Sequence, residues 1–266
     1  MGTSRQALHI DCLTAVFLVL GLYSTACPVA SQNFPRPSES SARVAHAAAY
    51  ADCMALAHRN PEKALDFTQS WERNGGDEGA RHCRAVAVLN TGAYAKAAEQ
   101  LETLAGTTSK TVNRLQGELY TQAGQAWLIA GKASRALAAQ TRALALIGRE
   151  PELLLDRAIT HASTGEYWRA IDDLNDVIDQ DPLHSGALVL RATAWRKLVN
   201  LDLALDDIQR AISMSSAGVD ALLERGNIRL LRGDRVGAVS DWTSVIAAGP
   251  NSLAADAALK NLAKIK

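Results

Sequence analysis

The chain predicts an all-α solenoid, one helical hairpin copied along the sequence and stacked on itself. Three observations carry that expectation. Special positions return at a fixed spacing: Gly165, Ala170 and Pro182 recur as Gly233, Ala238 and Pro250 two periods of 34 residues later, with Ala204 one period after Ala170. Each unit holds two apolar patterns of helical period, split by a short turn and closed by Pro or by Gly/Ser. Small residues recur where two helices must come close, Ala158, Ala192 and Gly226 at one position and Ala170, Ala204 and Ala238 at another. A single hairpin cannot bury its apolar face, so the units have to stack.

Taken from the amino terminus, residues 1–30 read as a secretory signal: Arg5 supplies charge, Leu13–Leu22 an apolar core, and Tyr23–Ala30 a small or helix-breaking end. Residues 31–44, with Pro35, Pro37 and several Ser, read as a disordered tether. The unit 45–77 is the weakest, recognisable from Asn60 to Leu65, with Pro61 suited to a first helical turn. The unit 78–111 keeps Ala85, Gly92, Tyr94, Ala97 and Leu101, and about five extra residues, Val112–Gln116, follow it as loop. Unit 117–150 keeps Tyr120, Gly124, Trp127, Gly131, Ala136 and Ala143. In unit 151–184, Leu154, Ala158 and His161 mark one helical face, Gly165 ends that helix, and Ala170, Leu174, Val177 and Ile178 mark the second. Units 185–218 and 219–252 repeat this scheme. Residues 253–266 carry Leu253, Ala257, Leu259, Leu262 and Ile265 opposite Lys260, Lys264 and Lys266, which predicts an amphipathic capping helix.

These spacings resemble the tetratricopeptide repeat, of an exported bacterial type, over about residues 45–266 and most strongly over 117–252. The resemblance implies a right-handed α-solenoid of about six hairpins plus the capping helix, and a non-enzymatic scaffold that binds another protein or peptide on the concave face of its first helices. Mapped onto this chain, the groove positions are Glu118, Thr121, Gln125 and Leu128, then Leu155, Ile159 and Ala162, then Val189, Thr193 and Arg196, then Leu223, Asn227 and Leu230. The later half is apolar, so an apolar helix or strand oriented by Arg196 is the expected guest. Chaperone-binding members of the family grip an acidic carboxyl terminus with Lys and Asn; only Asn227 matches here, which disfavours that ligand. The alternative for these leucines is contact with the chain's own tether or last helix.

One pattern departs from the family. Its seventh position, usually apolar, is Arg157, Arg191 and Arg225, and sixteen residues later stand Asp173, Asp207 and Asp241. In unit 117–150 both are alanine, Ala123 and Ala139; in 45–77 they are Ala51 and Phe67; in 78–111 Arg84 faces Gln100. The expectation is a structural Arg–carboxylate pair joining first and second helices, against the alternative of solvated surface charge.

Cys12 and Cys27 fall in the signal, leaving Cys53 and Cys83 on first helices of consecutive units, which pack side by side in the family; export implies a disulfide between them. Cys27 follows Ser24-Thr25-Ala26, so a lipid on Cys27 is the one membrane contact the sequence allows, and a lipid-anchored assembly factor for an envelope complex is the rival reading. The expected location is the periplasm or cell envelope of a bacterium. Charges balance at 28 and 28, so no electrostatic case for nucleic acid exists. The six histidines are scattered and no nucleophile, phosphate-loop or metal-ligand motif occurs, so neither catalysis, cofactor nor metal is expected; a small-ligand-binding solenoid is the less favoured alternative.

Overall fold

The computed structural model describes residues 39–108, 112–214 and 218–265, with side chains from Arg43 onward. Among the described residues the regular structure is helical throughout, in thirteen helices. Six hairpins follow one another: α1 (Glu39–Arg59) with α2 (Pro61–Arg73), α3 (Asp77–Asn90) with α4 (Tyr94–Thr107), α5 (Asn113–Ile129) with α6 (Ala133–Ile147), α7 (Pro151–Ser163) with α8 (Tyr167–Gln180), α9 (Ser185–Lys197) with α10 (Leu201–Ser213), and α11 (Gly218–Leu231) with α12 (Arg235–Ala248). A lone helix, α13 (Leu253–Lys264), closes the series. The stretch read as a signal, residues 1–30, lies outside the described residues, as does the tether as far as residue 38.

Local chemistry sets the helix ends. Asn60 Oδ1 accepts from the Lys63 amide at 3.1 Å with Pro61 in the first turn, and Ser252 and Asp234 cap α13 and α12 in the same way. Two boundaries differ from the sequence reading. α1 begins at Glu39, inside the expected tether, because no proline occurs between Pro37 and Pro61 and the alanine-rich stretch Ala45–Ala49 favours helix. Residues 113–116, expected as loop, form the first turn of α5. Gln116 explains this, since its Nε2 donates to the carbonyls of Ala105 and Thr108, both at 3.0 Å, and so ties the new turn to the end of α4.

Among the described residues apolar clusters succeed one another along the stack, each shared by adjacent helices, in place of a single core. The approach between the two helices of a hairpin is close enough to dictate residue size. A β-carbon on Gly226 would stand 2.5 Å from the Trp242 indole nitrogen, and Ala158, Ala192, Ala170, Ala204 and Ala238 at the corresponding positions are fully buried or nearly so.

The turn between first and second helices uses the left-handed region, and Gly92, Gly131, Gly165 and Gly233 hold it with φ between +70 and +85°. In the 185–218 unit the same place is Val199, at φ +63° and 75% exposed. A β-branched residue there is strained without any packing in return, at a cost of roughly 1–2 kcal/mol, part of which glycine gives back in chain entropy. Val199→Gly is therefore expected to raise stability by about 0.5–1 kcal/mol, read as a higher urea midpoint at unchanged slope.

Candidate functional site

The first helices α3, α5, α7, α9 and α11 line one wall, and polar side chains stitch most neighbours on it together. The Tyr50 hydroxyl donates to His82 Nδ1 at 2.7 Å, and His82 Nε2 donates to Gln122 Oε1 at 2.9 Å, linking α1, α3 and α5. Gln125 Nε2 donates to Asp156 Oδ2 at 2.7 Å between α5 and α7. Arg196 grips Glu224 through Nε and Nη2 at 2.5 and 3.2 Å between α9 and α11. Asn227 donates to Glu224 Oε2 at 3.1 Å and accepts from Asn261 Nδ2 at 2.8 Å, which brings in α13.

The ladder changes character between α7 and α9. In the repeat register, the counterparts of Gln125 and Asp156 one period on are Ile159 and Leu190, both apolar. Leu190 packs into the core below, whereas Ile159 stands 40% exposed. The wall thus has an apolar window at Ile159, Ala162, Val189 and Thr193, with Asp156 on one side and the Arg196–Glu224 pair on the other. Burial pushes the Asp156 carboxyl up, the hydrogen bond from Gln125 offsets part of that push, and repulsion from Glu152 adds a smaller upward contribution.

The mapped groove residues therefore divide. Leu155 is buried, Leu128 packs on the core, and Leu223 and Leu230 join the cluster that α13 completes, so the last quarter of the expected groove contacts the chain's own final helix. Arg196, expected to orient a guest, spends its guanidinium on Glu224. The hydroxyls of Thr121 and Thr193 turn back onto the carbonyls of Gly117 and Val189, and Glu118 pairs with Arg114. Glu224, Asp156 and Gln122 were not singled out from the sequence, although applying the 34-residue register to the sixth position of each unit would have selected all three.

Beside this wall the recurrent arginines bind within their own hairpins. Arg157 Nε and Nη2 donate to Asp173 at 2.8 and 2.6 Å, Arg191 to Asp207 at 2.8 and 2.7 Å, and Arg225 to Asp241 at 3.0 and 2.7 Å. The three carboxylates are 2–3% exposed, and hydrogen bonding to them holds each guanidinium pKa above its usual value. Arg191 also donates to Asn175 Oδ1 of the preceding hairpin at 2.7 Å, and Arg229 adds a second cation to Asp241 at 2.8 Å. Arg84 behaves otherwise. It turns to Glu72 at 2.9 Å, leaving Gln100 Oε1 buried without a partner among the described residues, because a carboxylate attracts the guanidinium more strongly than a neutral amide does. His161 is a packed ring that meets Glu166 at 2.7 Å, and the Glu166 carboxyl is lowered by that bond and by Arg169.

Cys53 of α1 and Cys83 of α3 are joined Sγ to Sγ, their Cα atoms 6.1 Å apart, in a cluster with Ala57, Trp71 and Ala80. Among the described residues no group of three His, Cys, Asp or Glu side chains could hold a metal ion, and no helix is long and apolar enough to cross a membrane.

No protein-family profile matches the chain, and no curated protein sequence does. Solved structures do match. YrrB, described as a tetratricopeptide-repeat protein with an unusual peptide-binding site, is 20% identical with a TM-score of 0.55, over 65% of this chain and 88% of its own. A tetratricopeptide-repeat protein from Parabacteroides merdae is 18% identical with a TM-score of 0.59, over 84% and 86%. PilF of Pseudomonas aeruginosa is 14% identical with a TM-score of 0.63, over 84% and 98%. At such identities the likeness establishes the fold: this is a helical-repeat solenoid of the tetratricopeptide type.

Two outcomes follow. Arg191→Ala leaves Asp207, among the described residues, with only Arg210, at 3.7 Å, and is expected to cost about 3 kcal/mol, with a coupling to Asp207→Ala of at least ~1.5 kcal/mol in a double-mutant cycle of urea unfolding; additive losses would refute the pairing. Replacing Cys53 and Cys83 together by alanine opens a loop of 30 residues and is expected to lower stability by about 3 kcal/mol in the chain-entropy account, with reducing agent shifting the parent chain but not the variant.

Proposed function

We propose that the chain is a non-enzymatic interaction scaffold that takes a peptide or helix of another protein against its concave wall. The observation that carries this reading is the apolar window at Ile159, Val189 and Thr193 in a wall otherwise closed by hydrogen bonds. An exposed isoleucine on a concave face is an anchor position: a guest side chain seated there removes it from water, while Asp156 and the Arg196–Glu224 pair remain at the edges to select polar neighbours. The peptide-binding site named for YrrB supports the same use of the fold. We assign the scaffold to the bacterial envelope, on the signal-like residues 1–30 and the Cys53–Cys83 pair, which an oxidising compartment preserves. An acyl group on Cys27, visible as a mass difference in the mature chain, would make it the lipid-anchored form of the same scaffold.

The test is photocrosslinking in intact cells from a reactive residue at Val189, with and without Ile159→Asp. A discrete polypeptide adduct is expected, reduced about tenfold by Ile159→Asp while the thermal melt stays in place. An adduct indifferent to Ile159→Asp would place the interaction elsewhere.

A further inference from the structure

A second surface lies at the carboxyl end, independent of the concave wall. Between α12 and α13 runs an open groove of about 580 Å³ lined by Arg235, Val239, Thr243, Leu259, Leu262 and Ile265. No described residue covers it. Val239 is 36% and Leu259 51% exposed, and Val236 at the head of α12 is 83% exposed.

The repeat register defines what shape fits. Counted in periods of 34, Leu259 is the counterpart of Arg191 and Thr243 that of Asn175. In the 185–218 hairpin, Arg191 touches Asn175 on the preceding second helix and Asp207 on its own, so α10 lies over that position. At α13 the two lower members are present in apolar or neutral form, and the place of α10 is open. A helix is what the same backbone arrangement accommodates elsewhere in this chain, and its buried face here must be apolar because Leu259 offers no guanidinium.

Charge narrows the choice further. Arg235, Lys260 and Lys264 are exposed along this end, while Asp234 is engaged as the cap of α12 through the Gly237 amide at 2.8 Å. A helix lying along α12 as the other second helices lie in the stack has its amino end near Arg235 and the carboxyl end of α13, where first-turn carboxylates meet both the guanidinium and the lysines. The same cations disfavour a second copy of this end. We infer that the groove docks an amphipathic helix of another protein, apolar on one face and acidic in its first turn, which completes a hairpin with α13.

The experiment titrates the full chain with a labelled synthetic peptide of sequence 200–214 carrying Asp207→Leu, a second helix from within this protein that keeps Asp202 in its first turn and has the carboxylate that would face Leu259 replaced by an apolar side chain, followed by fluorescence anisotropy. Saturable binding is expected, weakened about tenfold by Leu259→Asp and severalfold by Arg235→Glu, and unchanged by Ile159→Asp. Circular dichroism melts check each variant, and Val239→Asp replaces Leu259→Asp should the latter unfold. The inference falls if no binding occurs at about 1 mM peptide, if Leu259→Asp binds equally, or if Ile159→Asp abolishes binding. Self-association of the peptide-free chain that Leu259→Asp removes would overturn it too, by making a second copy the occupant.

Discussion

The close approach of the two helices in each hairpin is the constraint on which the rest depends. In a stack where contacts run only between neighbours, no distant core compensates for one poorly packed pair. Alanine and glycine at the contact positions make the approach feasible, and Trp242 over Gly226 shows how little room is left. Once the backbones are that near, a carboxylate on the second helix can reach an arginine on the first. The Arg157, Arg191 and Arg225 pairs are consequences of that distance, and they act on alignment more than on net stability. A buried bidentate pair recovers roughly what its desolvation costs, but a slipped helix would leave the carboxylate of Asp173, Asp207 or Asp241 dry and unpaired. Such pairs penalise wrong registers, which matters in a molecule built of near-identical pieces.

The wall of first helices follows from the same stacking. First helices of successive hairpins meet side by side, so their facing residues must either bond to each other or pack. Tyr50, His82 and Gln122, Gln125 with Asp156, and Arg196 with Glu224 take the first course. Ile159 and Leu190 take the second; Leu190 packs partly buried against the core, while Ile159 stays 40% exposed. A surface whose polar groups already satisfy one another has little to gain from a polar guest, because each new bond replaces an old one. A partly exposed isoleucine still has transfer free energy to gain, on the order of 1 kcal/mol for the part in water. This difference, and not the number of groove residues, is the ground for placing the proposed recognition at α7 and α9.

Much of this was legible in the chain because iteration repeats the evidence. Gly at the left-handed turn, Ala at the helix contact and Arg sixteen residues before Asp each recur at one spacing, and recurrence separates a structural demand from chance. What escaped was whatever occurs once or reaches between hairpins. Glu72 capturing Arg84, and Gln116 extending α5 by tying down α4, are contacts across the repeat boundary that a within-repeat alignment cannot display. Arg196 looked free because its partner, Glu224, lies 28 residues on, a separation that matches neither the period nor the hairpin. Leu223 and Leu230 looked like groove because the family mapping treats the last hairpin like the others, whereas α13 already packs against it.

Nearest-neighbour architecture also determines how the two proposed surfaces relate. The window at α7 and α9 and the groove at α12 and α13 are separated by the α9–α10 and α11–α12 hairpins, and coupling between them has to pass through those interfaces in series. The Arg191–Asp207 and Arg225–Asp241 pairs lie on that route. Because each pair resists sliding of one helix along another, a guest at either surface meets a wall that cannot shift its register in response. If both proposed surfaces are used, occupancy at one end changes the other by little, and the two affinities are set separately. Loosening that route, by removing one guanidinium, is the change that would let one guest be felt by the other.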